Sequence, residues 1–83
     1  MARLPVVSGK KVIRYLHKLG YIEKSCKGSH HNFKRPDGKG FIITVITHGN
    51  DELRDGTLHN IIKYLAINEQ MTEEEVRDEL AKL

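Results

Sequence analysis

The sequence predicts an α+β fold of order α-β-β-β-α plus an extra C-terminal helix, with a three-stranded antiparallel sheet carrying its helices on one face. Three observations predict it. Apolar residues recur at helical spacing near both ends of the chain, and β-branched or aromatic residues concentrate in three short segments between Tyr21 and Ile46. The connections between those segments are only turn-length, which makes neighbouring strands antiparallel, because a parallel pair needs a long crossover. At 83 residues the chain reads as one domain, 1–83, near the lower end of what a single core supports.

Ser8 stands as the N-cap of a first helix over about 9–19, its hydroxyl placed to accept from an orphan amide of the first turn. Val12, Leu16 and Leu19, widened by Ile13, form the apolar stripe, and Gly20 occupies the C′ position where a left-handed residue ends a helix. Tyr21 to Ser25 reads as a short strand after that glycine, Lys27-Gly28 as a turn, and Ser29 to Arg35 as a second strand. Pro36-Asp37-Gly38 ends it, since proline presets φ and glycine accepts positive φ. Phe41 to Ile46 is the clearest strand, with Phe41, Ile43 and Val45 expected inward on β-propensity and alternation. Thr47 to Asp55 is polar and turn-rich; Thr57 is placed to cap a second helix through Leu58, Ile61, Ile62 and Leu65. Thr72 and Glu75 fit a capping box, with Val76, Leu80 and Leu83 as the stripe of an acidic last helix over 72–83. A three-stranded meander has one face to bury, and the helices must cover it. That layout is the double-stranded-RNA-binding (dsRBD-like) fold class, with the opposite sheet face left open.

Charge is segregated along the chain. Residues 1–40 carry +8 and residues 41–83 carry −5, within a net charge of +3. A basic half of this kind suits nucleic acid, because Lys and Arg displace counterions condensed on phosphates; a solvated surface is the alternative reading of the same residues. The basic candidates are Lys10, Lys11 and Arg14 on the first helix and Lys27, Lys34 and Arg35 around the second strand. One cysteine, Cys26, cannot make an internal disulfide and fits a reducing, cytoplasmic setting. No segment approaches the ~20 apolar residues of a membrane span, and the N-terminus lacks a signal-peptide run. No metal or cofactor is expected: Cys26, His30, His31 and His48 do not form the paired spacings of structural zinc. A Cys-His pair or a P-loop is equally unsupported.

Strand alternation separates the adjacent histidines. If Phe33 packs inward, His31 and Arg35 share its side, whereas His30, Asn32 and Lys34 face outward. His30 is then the exposed histidine and His31 a half-buried packing residue. Near neutral pH a histidine can take a proton from a ribose 2′-hydroxyl and return it to a leaving oxygen. Nearby cations can hold the phosphate and stabilise the charge developing on it. That makes His30 the catalytic candidate for metal-free RNA cleavage, with Ser29 and His48 as accessory candidates, and His17 and His59 as solvent-facing residues.

Five motifs carry a family resemblance. They are Leu4-Pro5-x-x-Ser8-Gly9-x-x-x-Ile13, Leu16-x-x-x-Gly20-Tyr21, Gly28-Ser29-His30-His31, Thr44-Val45-x-x-His48, and Gly56-Thr57-Leu58-x-x-Ile61-Ile62. Together they resemble the HicA (YcfA-like) toxins of HicAB toxin–antitoxin systems, over a family core of about residues 3–66. The resemblance implies a dsRBD-like fold, mRNA interferase activity that inhibits translation, a HicB-like antitoxin that covers the active site, and a catalytic histidine at His30. Two features depart from the family pattern: Ile46 stands where a proline is usual before the second histidine, and the acidic segment after Ile67 extends beyond the core. That segment can cover a core edge, mediate self-association or contact the antitoxin. A non-catalytic RNA-binding module, or a protein-interaction unit using the open sheet face, would share much of this sequence logic.

Overall fold

Ser8 opens the first helix as the sequence predicts: its Oγ accepts from the Lys11 amide at 3.3 Å. The structure is a computed structural model and describes residues 7–47 and 53–83. Helix α1 (Gly9–Lys18) is followed by strands β1 (Ile22–Lys27), β2 (His30–Lys34) and β3 (Ile43–Ile46), then helices α2 (Asp55–Glu69) and α3 (Glu73–Ala81). The strands form one antiparallel sheet in the order β1-β2-β3. The fold is α+β and dsRBD-like, with α3 as the additional helix.

Phe33, Ile43 and Val45 are buried on one sheet face against Val12 and Leu16 of α1 and Leu58, Ile62 and Leu65 of α2. Full burial of each such side chain contributes about 1.5–3 kcal/mol. Thr72 closes the expected capping box with Glu75, both bonds at 3.0 Å. Val76 and Leu80 of the helix it starts are fully buried in the same core. Of the three roles open to the acidic tail, covering the core is therefore one that it performs.

Two expectations are corrected. Phe41 is not an inward strand residue: it is 47% exposed and lies against the Tyr64 ring, centroids 4.8 Å apart. The cause is Asn68, the one buried polar side chain among the described residues. Its Oδ1 accepts from the Phe41 amide at 2.7 Å and its Nδ2 donates to the Phe41 carbonyl at 2.9 Å. A side-chain amide thus takes the backbone groups that would otherwise extend the ladder, and β3 starts at Ile43. Helix α2 likewise begins before Thr57. The Leu58 amide already donates to the Arg54 carbonyl at 2.9 Å, and Arg54 is an N-cap without a side-chain bond. The approach to α2 is fixed by a Leu53 amide bond to the Val7 carbonyl at 2.9 Å, a long-range contact that overrides the local capping signal.

Two tyrosines tie the helices together and predict an alkaline limit to stability. Tyr15 of α1 donates to Glu79 of α3 at 2.7 Å, and Tyr21 donates to Glu69 of α2 at 2.8 Å. Both phenols are pushed well above their ordinary value of 10.0. Burial is the main cause, and the bonded carboxylates raise both further, although the Asn68 amide at the Tyr21 hydroxyl acts the other way. The folded chain thus holds these protons where the unfolded chain releases them, so stability is fully present below pH 10 and falls as pH rises above it. Urea unfolding from pH 8 to 11 should show that fall, and Tyr15→Phe should flatten it while lowering stability at pH 8 through loss of the hydrogen bond.

Candidate active site

The site is built on the β1–β2 hairpin. Gly28 and Ser29 form its two-residue turn, with Gly28 at φ +61° and Ser29 at negative φ. That is the pattern of a type II′ turn, which calls for glycine at its first central position and matches the twist of the strands it joins. The Thr47 amide donates to the Ser29 carbonyl at 2.9 Å and holds the end of β3 against this turn.

Register then sets the faces. His30 lies opposite Lys27 on β1 and Ile46 on β3, on the face away from the helices, and is exposed. The next row on that face is Ser25, Asn32 and Thr44. Asn32 Nδ2 donates to Ser25 Oγ at 3.0 Å, and Thr44 Oγ1 donates to Asn32 Oδ1 at 2.6 Å. These cross-strand bonds span all three strands and fix the surface beside His30. Lys34 is exposed farther along β2 on the same side. The open face therefore places Lys27 beside His30, with Lys34 four residues farther along β2 and Ser29 at the turn.

The first turn of α1 lies close to the same end of the sheet. A Cβ on Gly9 would stand 2.6 Å from the Ile46 carbonyl oxygen and 3.0 Å from Thr47 Cγ2. Only glycine allows this approach of helix to strand. Lys10 and Lys11 extend from that turn, Lys10 exposed and Lys11 half-buried, with Arg14 exposed one turn on.

Arg35 is placed elsewhere. Its guanidinium pairs with Asp37 at 3.2 Å and Glu69 at 3.4 Å, and it donates to the Asn68 carbonyl. Helix α2 has no basic residue in its last turn, so Arg35 supplies the cation that a helix C-terminus favours. His48 lies outside the described residues. His17 is exposed at its edge yet meets the Phe33 ring, centroids 5.7 Å apart, while His59 is exposed as expected.

His31 is on the core side and half-buried, as alternation predicts, but it is held by polar groups. Its Nδ1 is 3.3 Å from Glu23 Oε2 and its Nε2 is 3.1 Å from Thr47 Oγ1. Sequence reasoning passed over Glu23 and Thr47. Only the strand register, which no local spacing encodes, reveals them.

Residues 9–67 match a family model described as the HicA toxin of bacterial toxin-antitoxin. The chain belongs to the HicA toxin family. Membership places it in a toxin–antitoxin system with a partner antitoxin. The HicA match runs from the first residue of α1 to near the end of α2 and includes the whole sheet, so α3 lies beyond it. No curated protein matches the chain. No helix among the described residues is long and apolar enough to cross a membrane.

Proposed function

We propose that this HicA toxin is a cytoplasmic, metal-independent endoribonuclease that cleaves mRNA and so inhibits translation, with His30 as its acid–base group. The observation that carries the reading is an exposed histidine directly opposite a lysine, on a sheet face that no helix among the described residues covers. In the proposed reaction, neutral His30 takes the proton of a ribose 2′-hydroxyl as its oxygen attacks the adjacent phosphorus. The P–O5′ bond breaks, and the proton returns from His30 to the departing 5′-oxygen. The products are a 2′,3′-cyclic phosphate and a 5′-hydroxyl. Lys27 stabilises charge on the non-bridging oxygens, while Lys34, Lys10, Lys11 and Arg14 guide flanking phosphates. Ser29 is an accessory donor at the turn, and a HicB-like antitoxin would inhibit by covering this face. Arg35, engaged with Asp37 and Glu69, is assigned to the scaffold.

Incubation of an end-labelled mRNA with the toxin in excess EDTA tests the reading. Fragments ending in a 2′,3′-cyclic phosphate support it, whereas RNA binding without fragments would make the protein a non-catalytic binding module. Lys34→Ala should weaken RNA binding and reduce the log–log salt slope by roughly 0.7–0.9, the share of one phosphate contact. An unchanged slope would remove Lys34 from the RNA path.

A further inference from the structure

On the helix side of the sheet, beyond the helices, Glu23, Cys26 and His31 converge. One ligand atom from each lies within 4.8 Å of the others. Cys26 Sγ is 4.0 Å from His31 Nε2, and Glu23 Oε2 is 3.3 Å from His31 Nδ1. We propose that these three side chains form a binding site for a thiophilic divalent ion of the zinc class, on the opposite sheet face from His30.

The convergence comes from a backbone irregularity. Glu23 and Cys26 are three residues apart, so a regular strand would send them to opposite faces. The register shifts between Glu23 and Ser25, placing Glu23 opposite Phe33 and Cys26 opposite His31. The extra residue, Lys24, is a β-bulge that restores both side chains to the face of His31, and re-aiming a side chain is a common use of a bulge. The ligands thus come from across a hairpin, and the paired spacings that signal zinc in sequence do not apply.

Donor type and access agree with the assignment. A thiolate, an imidazole and a carboxylate are the three ligand types zinc accepts, at about 2.0–2.3 Å, and three protein ligands leave a position for water. Those bond lengths put tetrahedral ligands roughly 3.3–3.6 Å apart, so the cluster must contract. Because one ion takes a single ring nitrogen, either Glu23, now at Nδ1, or Cys26, now at Nε2, must swing round to the other's side of the ring. Glu23 and Cys26 are exposed and can turn inward, while His31 is half-buried and its ring is held by Thr47 Oγ1 at 3.1 Å. Binding replaces the contact that the Cys26 thiol makes to the Gly28 carbonyl at 3.4 Å.

The test uses the full chain with Zn²⁺ and with Co²⁺ as a spectroscopic probe. Expected results are a Zn²⁺-dependent rise in Tm and a sulfur-to-cobalt charge-transfer band on Co²⁺ addition. Cys26→Ser should abolish the band, Glu23→Gln should lower Zn²⁺ affinity by roughly tenfold or more, and His30→Ala should leave both signals intact. A band that survives in Cys26→Ser, loss of Zn²⁺ binding in His30→Ala with retention in Cys26→Ser, or no Tm response and no band in the parent would each overturn the assignment. Circular dichroism of the metal-free variants separates loss of a ligand from loss of fold.

Discussion

His30→Ala is expected to lower RNA cleavage by roughly 10²–10⁴-fold, the usual contribution of a positioned acid–base group, and to relieve growth arrest on induced expression. The variant should fold normally. His30 is exposed and makes no side-chain bond among those described, and substitutions at such positions shift stability by about 0.5 kcal/mol or less. Loss of activity without loss of Tm is therefore the signature of its proposed role. His31→Ala supplies the contrast. It removes the bonds to Glu23 and Thr47 and leaves the open face chemically intact, so it should cost stability while retaining most of the cleavage rate. Equal cleavage by His30→Ala and the parent would withdraw the assignment. Loss in His31→Ala with retention in His30→Ala would transfer it to the core side of the sheet.

The separation of these histidines was legible in the sequence because it needs only one fact, the inward Phe33, and a period of two. The helix caps at Ser8 and Thr72 were legible for a similar reason: their partners lie three residues away. What escaped were features set by distant partners. Asn68 captures Phe41 across 27 residues and shortens β3. Arg35 looks like one more basic residue beside Lys34, yet Glu69 and Asp37 engage it. The bulge at Lys24 inverts the parity of β1, so alternation counted along that strand misplaces either Glu23 or Cys26. Periodicity reads faces well while the backbone is regular, and it fails for Glu23 and Cys26 because β1 is not.

Leu80→Ala carries the largest expected structural effect. The residue lies beyond the HicA match, in the helix that the sequence alone leaves free to be a cover, an association surface or an antitoxin contact. Leu80 and Val76 are fully buried in the core that contains Phe33 and Leu16, and Glu79 accepts from Tyr15 of α1. Truncating a buried leucine costs about 2–5 kcal/mol through lost burial and the cavity left behind. A domain of 83 residues holds only about 4–12 kcal/mol in total, so the change removes a large share of its stability. A fall in Tm of about 10 °C or more should follow, since 1 kcal/mol shifts a domain of this size by roughly 4–8 °C. Cleavage measured well below the new Tm should recover to near the parental rate, because α3 packs behind the sheet and His30 projects from its front. A Tm within a few degrees of the parent would mean that α3 is dispensable to the core. Failure to recover cleavage in a folded variant would mean that α3 acts on the open face by a route other than stability.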